Sequence, residues 1–514
     1  MNKFKRWLLP VAIVFLLLAT LIGGSCAPQS LGEIFDPSGN PFAHRFSDVT
    51  DIRTATFVVA ASDSEHKYEA DYFCDGTDDH VQIQQAIDAL PATGGEVVLL
   101  DGTYNIEVSL VLDSYQTLRG CGRSTILTTT TADVDIITAA GGAGTEKVEI
   151  LIADLCVDGN AGGAVNDIGI YWTFVDYSEI RGVYLQNNGE YGLRFFNCDF
   201  NNVHDSTFQS NAGDNISVTI GFHNSYMNNI ILGGTAAGIS IGTDDFSEIA
   251  NNIVGENDGR GIKVTTSENV RISNNLCYKN GWDGIYTSAL NHGTLSNNIC
   301  IANSQDTDNA LDNIRLEQSD YNLIEGNLCR QGAEANKPKY GINIRQAPND
   351  KNVVVGNDLY DAGKTANFDD TGTRTIVTDD NRGISPVQVK HLIYVQNTSG
   401  GNLLTGNVVK YNAAAGSVGF TTPTAVGEDG VWGMLVEDID NNAYGYIQVL
   451  GGTTLLDATN AVGGNIVIGD FLCTENGVRA QKAAAGDMAF AIALEDCAVA
   501  DAVIDALIIT PRKL

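Results

Sequence analysis

The sequence predicts an all-β chain wound as a right-handed parallel β-helix of about 23 residues per coil, with an N-terminal capping helix and a small C-terminal β-barrel or sandwich domain. Three observations predict it. First, an aliphatic residue recurs every 23 positions at Ile170, Leu193, Ile216, Ile239, Ile262 and Ile285, then at Ile314 and Ile342 after steps of 29 and 28. Second, a partner column follows two positions later at Trp172, Phe195, Val218, Ile241, Val264 and Thr287. Apolar residues at i and i+2 are strand spacing, not helix spacing. Third, two asparagine columns run side by side, Asn228, Asn251, Asn274, Asn297 and Asn229, Asn252, Asn275, Asn298, Asn327. Asparagine tolerates left-handed backbone, and its amide can bond a neighbouring turn. Stacked asparagines therefore suit one corner of a solenoid whose coils lie about 4.8 Å apart.

The elements follow in order. Lys3, Lys5 and Arg6 precede an apolar run from Leu8 to Ile22 that contains Pro10, then Gly23-Gly24-Ser25-Cys26. Basic, apolar and small in that order reads as a signal peptide over residues 1–26. The run is short for a membrane span. Cys26 after small residues is similar to a bacterial lipoprotein cleavage site, with Gly23 where that pattern has Leu. Simple secretion, membrane attachment through a lipidated Cys26 and an uncleaved anchor all stay open, and each places the protein outside the cell or on its surface. Residues 27–69 read as an irregular arm. The solenoid is expected over 70–380. Its cap is a helix from His80 to Leu90 with Ile83, Ile87 and Leu90 on one face, Asp78 or Asp79 as N-cap, and Pro91 beyond its end. Gly94 to Leu100 reads as a strand and Asp101-Gly102-Thr103-Tyr104 as a turn.

The run DGTDDHVQIQQAIDALPATGGEVVLLDGTYNI resembles the opening of pectate-lyase-like right-handed β-helix proteins, phage tailspikes among them. The later GIxL and NNxC motifs resemble the tailspike- and NosD-type repeats of the same superfamily. The resemblance implies fold and leaves function open, since that fold carries lyases, hydrolases, epimerases and inert spikes. The GHG and RIK signatures of its pectin hydrolases are missing, as is the RxPxxR setting of its pectate lyases.

The period fades after Asp361, and Thr365–Pro386 reads as a polar linker. Residues 387–514 are expected to form the small β domain, with short strands at His391–Gln396, Val408–Tyr411, Trp432–Val436, Gly445–Val449, Asn465–Ile468 and Ala489–Leu494. Its segments GNVVKYNAAAGSVGF and GMLVEDIDNNAYGYIQVLG loosely resemble phage capsid-decoration domains. Of the ten cysteines, Cys277, Cys300 and Cys329 sit in an apolar column and read as buried hydrophobes, while Cys473 and Cys497 could pair.

With 63 acidic against 30 basic residues and a net charge of −33, the chain repels phosphate backbones, and nucleic acid is excluded as a partner. No phosphate loop, zinc motif or Ser-His-Asp grouping is legible. Chemistry is expected on the outward side of the strand that carries the core isoleucines: Tyr171, Arg194, Ser217, Ser240, Lys263, Tyr286, Arg315 and Asn343. Two further residues on stand Thr265, Ser288, Glu317 and Arg345, and Asp283 and Asp312 lie at the turn into adjacent coils. The two insertions leave from the corner beside Arg315, which suggests a groove walled by Ser304–Leu311 and Ala333–Pro338.

Two chemistries fit such a groove. β-Elimination from a uronate would use Arg315 or Lys263 to neutralise the carboxylate and Tyr286 or Lys263 as base. Glycoside hydrolysis would use two of Asp283, Asp312 and Glu317. The plain alternative is a solvated strand face, with Glu317 and Arg345 simply paired across coils. Asp306, Asp308 and Asp312 offer oxygen ligands for Ca²⁺, although an acidic loop is ordinarily just hydrated. The expected function is an exported, surface-associated protein that binds or modifies polysaccharide, in the manner of a lyase or a hydrolase. The competing expectation is a non-enzymatic tailspike-like or adhesion protein, for which a homotrimer is the assembly left open. On the first reading, Arg315→Ala matters more for binding than Arg194→Ala.

Overall fold

The computed structural model describes residues 56–160, 167–346, 349–372, 374–384, 390–411, 419–421, 431–458, 471–474, 480–482, 488–493 and 502–513. The leader, Cys26 and most of the arm lie outside the described residues.

One coil shows the plan of the solenoid. Ile239–Asp245, Glu248–Ala250 and Ile253–Gly255 are three strands in succession. Ile262–Glu268, Arg271–Ser273 and Leu276–Tyr278 lie on them in parallel, residue on residue. Repetition gives three parallel sheets, I, II and III in the order of those strands, with 11 strands in sheet I and 10 in sheet III. The strands are short because left-handed residues break them. In this coil they are Thr243, Phe246, Asn251 and Glu256, at φ 57°, 57°, 58° and 56°. The next coil holds each corner: Asn251 N donates to Ser273 O (3.1 Å) and Phe246 N to Glu268 O (2.9 Å).

Both apolar columns stack inside as the sequence predicts. Ile170, Leu193, Ile216, Ile239, Ile262, Ile285, Ile314 and Ile342 pair in one unbroken register and are fully buried. Cys277, Cys300 and Cys329 stack in sheet III, also fully buried. The two asparagine columns divide the work. Asn228, Asn251, Asn274 and Asn297 take the left-handed corner, at φ 54–58°. Their neighbours Asn229, Asn252, Asn275, Asn298 and Asn327 are buried and form a ladder of amides bonded to one another and to core carbonyls.

Four local expectations are corrected. Phe57–Ala60 pairs with Tyr72–Phe73 and Gly95–Leu99, so the first coil begins ahead of residue 70. Asp79 does not cap the helix His80–Asp88 with its side chain. It is fully buried and accepts from Gly76 N (2.9 Å) and Asn105 N (2.9 Å), tying the cap to the first coil, while Ile83, Ala86 and Ile87 close the core. Gly102–Asn105 is the first strand of sheet III rather than a turn, because Thr125–Thr128 pairs with all four of its residues. Ala366–Asp370 and Ile376–Val377 extend sheets I and II, so the linker is a further coil. Its inward residues Phe368 and Val377 are too few to show a period.

The C-terminal part is antiparallel. Lys390–Asn397, Val408–Tyr411, Val431–Leu435 and Met488–Ala493 appear within a residue or two of expectation. Tyr444–Ala458 runs longer than predicted and pairs with Lys390–Asn397 and Ala502–Lys513. Two small cores result, around Val408, Met434, Leu472 and Phe490 and around Val395, Leu403, Leu435 and Ile447. Asn465–Ile468 and Cys497 lie outside the described residues, and with Cys497 goes the Cys473–Cys497 pairing. Arg374 joins the two parts through Asp350 (Nε–Oδ1, 2.8 Å) and Glu437 (2.6 Å). Among the described residues no helix is long and apolar enough to cross a membrane.

Candidate functional site

Sheet I has the longest strands of the solenoid, and its outward residues stand in one row: Tyr171, Arg194, Ser217, Ser240, Lys263, Tyr286, Arg315 and Asn343. Strand alternation dictates this, since each lies between two inward residues. Five of the six candidate residues converge. Tyr286 Oη donates to Glu317 Oε2 (2.9 Å), and Arg315 Nε donates to Glu317 Oε1 (2.8 Å). Arg315 also faces Asp283 (3.9 Å), and Asp312 N donates to Asp283 Oδ1 (2.9 Å). Arg345 completes the pairing of Glu317 at 3.2 Å, as the plain alternative expects. The sixth, Lys263, sits beside Tyr286 in register and has no ion-pair partner within 4.0 Å among the described residues.

Sequence reasoning missed Arg260. Its Nε donates to Asp283 Oδ2 (3.1 Å), and its guanidinium lies 3.8 Å from the Tyr286 ring centroid and 4.9 Å from that of Trp282. The signal was present, because Arg260 precedes Asp283 by one 23-residue coil. Trp282 was missed too. It is 44% exposed, and its indole N–H donates to Asp306 Oδ2 (3.1 Å).

Burial departs from the sequence picture. Asp283 and Asp312 expose 0% and 1% of their surface, and Arg315 and Glu317 only 8% and 7%. They are not the open border of a groove. The insertion loops explain this, since they stack on one another as successive coils instead of facing across a gap. Asn309 N donates to Lys337 O (2.8 Å), Gln305 Nε2 to Asn336 O (3.0 Å), and Lys339 N to Leu311 O. Together they make a single rim. The Ca²⁺ set is also dispersed: Asp306 serves Trp282, Asp308 pairs with Lys364, and Asp312 accepts from Asn343 Nδ2 (2.8 Å) and Tyr340 N (3.1 Å). Among the described residues no three His, Cys, Asp or Glu side chains group to hold a metal.

The electrostatics follow from burial and pairing. Burial works to raise Glu317, but the Tyr286 hydroxyl and the Arg315 guanidinium outweigh it and hold the carboxyl below its usual range. Burial and the bond to Glu317 raise Tyr286, which therefore stays a phenol near neutrality. Burial pushes Asp283 up against the opposing pull of Arg315 and Arg260. Burial, then the neighbouring Asp283, pushes Asp312 up to about 7. Asp244, buried against Tyr226 and Asn224, is raised to about 6.

A carboxyl raised on folding stabilises fully below its unfolded pKa of about 4, and that contribution is lost as pH rises through the folded value. The Tm is therefore expected to fall between about pH 4 and 7, most steeply near 5, where these carboxyls are protonated in the folded chain and ionised in the unfolded one. Asp312 contributes on the order of 3 kcal/mol to that fall. Thermal melts at constant ionic strength check this, and Asp312→Asn is expected to flatten the dependence.

A solenoid of three parallel sheets with stacked core columns, an amide ladder and a capping helix is a right-handed parallel β-helix, the fold class the sequence predicts. The family described as periplasmic copper-binding protein (NosD) matches its repeats over residues 156–313 and 235–384. No curated protein matches the chain. Among solved structures, the A-module of mannuronan C-5 epimerase AlgE6 from Azotobacter vinelandii is 19% identical, covering 60% of this chain and 96% of that module at a TM-score of 0.50. Tailspike protein 2 of the Escherichia coli O157:H7 bacteriophage CAB120 is 12% identical, covering 84% of this chain and 60% of the tailspike at a TM-score of 0.50. At these identities the likeness is one of fold.

Proposed function

We propose that the protein binds polysaccharide along the outer face of sheet I. In this reading Lys263, Tyr286 and Trp282 form the reachable centre, and Arg260, Asp283, Asp312, Arg315 and Glu317 brace it from below. The observation that carries the reading is the contrast within one row. Asp283 and Glu317 are buried and paired to arginines and Asp312 is buried against Asn343 and Tyr340, whereas Lys263 has no ion pair within 4.0 Å among the described residues and Trp282 stands exposed over Arg260. A flat, polar, aromatic-bearing face with cations free of ion pairs suits an extended, anionic sugar chain. The name of the AlgE6 module, which acts on mannuronan, agrees with a polysaccharide ligand.

Turnover is the second reading, favoured by Lys263 standing next to Tyr286. In that reading Lys263 neutralises the uronate carboxylate beside the proton to be removed. Tyr286, a phenol whose hydroxyl donates a hydrogen bond to Glu317 Oε2, would act as base only by passing its proton to that carboxylate. Copper, named in the NosD description, does not fit. The three column thiols lie in the core, and burial pushes Cys300 well above its usual range. The leader-like start and the word periplasmic in the family description support a place outside the cytoplasm.

The test is a panel of acidic and neutral polysaccharides, reading retention, ultraviolet absorbance of unsaturated ends, and reducing ends. Retention on an acidic polymer is expected. Absence of retention and of turnover on every polymer would overturn the reading and leave a structural or adhesive spike.

A further inference from the structure

Four basic side chains point outward from the strands of sheet I, at Arg194, Lys263, Arg315 and Arg345. Arg315 and Arg345 are spent on Glu317. Arg194 has no direct ion pair, although its charge reaches the half-buried Asp135 through space. Among the described residues it has no carboxylate within 4.0 Å, and its Nε is buried without a hydrogen-bond partner. Its guanidinium is held between two rings, 5.4 Å from the centroid of Tyr171 and 5.2 Å from that of Tyr191. The nearby carboxylates are anchored by backbone donors and stay out of direct contact, with Asp135 and Asp214 acting on Arg194 and Lys263 only through space. Asp135 accepts from Ile168 N (3.3 Å), Asp167 from Gly189 N (2.7 Å) and Asp214 from Ala237 N (2.8 Å). A planar guanidinium fixed by aromatic faces, with its N–H fork unused, is matched to a carboxylate or sulfate that arrives from outside.

We infer that Arg194 and Lys263 form a pair of anion subsites at the two ends of a trough on sheet I, which selects a glycan carrying carboxylate or sulfate groups. The register puts them three coils apart, about 14 Å at the usual spacing of strands. Between them stand Ser217 and Ser240, with Gly242 in the next outward row. These short side chains leave the floor low between two aromatic-flanked cations. The inference rests on the proposed polysaccharide-binding face. It reverses the ranking of Arg315 over Arg194 that sequence spacing suggests, because pairing, not position, decides which cation is available.

The test titrates polygalacturonate, dextran sulfate and uncharged dextran into the full chain and into Arg194→Gln, Arg194→Lys, Lys263→Gln and the double Gln variant. Arg271→Gln, on sheet II, is the control, and thermal melts confirm folding. Arg194→Gln is expected to weaken binding of the charged polymer at least fivefold and the double variant more, with Arg194→Lys between. A loss confined to polygalacturonate identifies carboxylate, a loss confined to dextran sulfate identifies sulfate, and a loss on both shows that the subsite reads charge alone. Wild-type binding with Arg194→Gln and Lys263→Gln within twofold of it would overturn the subsites while the polysaccharide reading stands. Failure of the wild type to bind any of the three would overturn both.

Discussion

Asn298→Ala is expected to cost about 3–5 kcal/mol in urea unfolding, among the largest effects of any single change in the solenoid, because each buried partner left without a hydrogen bond costs about 1–3 kcal/mol. Asn298 Oδ1 accepts from both the backbone and the side-chain nitrogen of Asn275 (3.0 Å each). Its Nδ2 donates to Ile272 O (2.9 Å) and Asn327 Oδ1 (3.0 Å). Alanine removes all four bonds in a place water does not reach. The neighbouring Asn297→Gly is expected to stay within about 0.5 kcal/mol, since Asn297 is exposed and serves its left-handed backbone, at φ 54°. The next coil already carries Gly326 at the same corner, at φ 62°. Equal costs at the two positions would contradict the division of labour between the asparagine columns.

Asp283→Ala is expected to be comparably severe, about 3–5 kcal/mol, since removing one member of a buried ionic cluster leaves the others uncompensated. Arg260, Arg315 and the amide of Asp312 all lose a partner. Asp283→Asn keeps an acceptor for that amide and is expected to cost less. The folded Asn variant should bind polysaccharide within about twofold of wild type, because Asp283 exposes no surface to a ligand. Urea unfolding alongside a binding titration checks both halves. A stable Ala variant, or an Asn variant that folds normally and loses binding, would instead give Asp283 a direct role.

The solenoid was legible because its core obeys two rules at once, spacing of two within a strand and a fixed period between coils. Ile170 to Ile285 satisfy both. The last coil was not legible, since Phe368 and Val377 satisfy neither clearly. The same period held a further column that went unread. Tyr177, Phe200, His223 and Phe246 form a ring stack at an outer corner, with neighbouring centroids 4.7–5.2 Å apart. In the site, register placed Lys263, Tyr286 and Arg315 in one row correctly. Burial was invisible, because it depends on how the insertions fold back. Tyr340 and Asn343 from the following coil cover Asp312, and the loops stack into one rim. Pairing was invisible for the same reason. A sequence shows that Arg315 and Arg194 point outward, but not that Glu317 pairs with one while only the rings of Tyr171 and Tyr191 flank the other.

The most direct measurement places an obstruction on the proposed face. Gly242 lies on the outward side of sheet I, one row over and in a coil between those of Arg194 and Lys263, and a Cβ there meets nothing closer than 3.6 Å, so a side chain fits without disturbing the coil. Gln209 is an exposed residue at the end of a strand in sheet III. Titrating an acidic polysaccharide into wild type, Gly242→Trp and Gln209→Trp compares the two faces on one scaffold. At least a tenfold loss for Gly242→Trp with Gln209→Trp unchanged is the predicted result. Equal affinity for all three proteins, or a loss confined to Gln209→Trp, would contradict it.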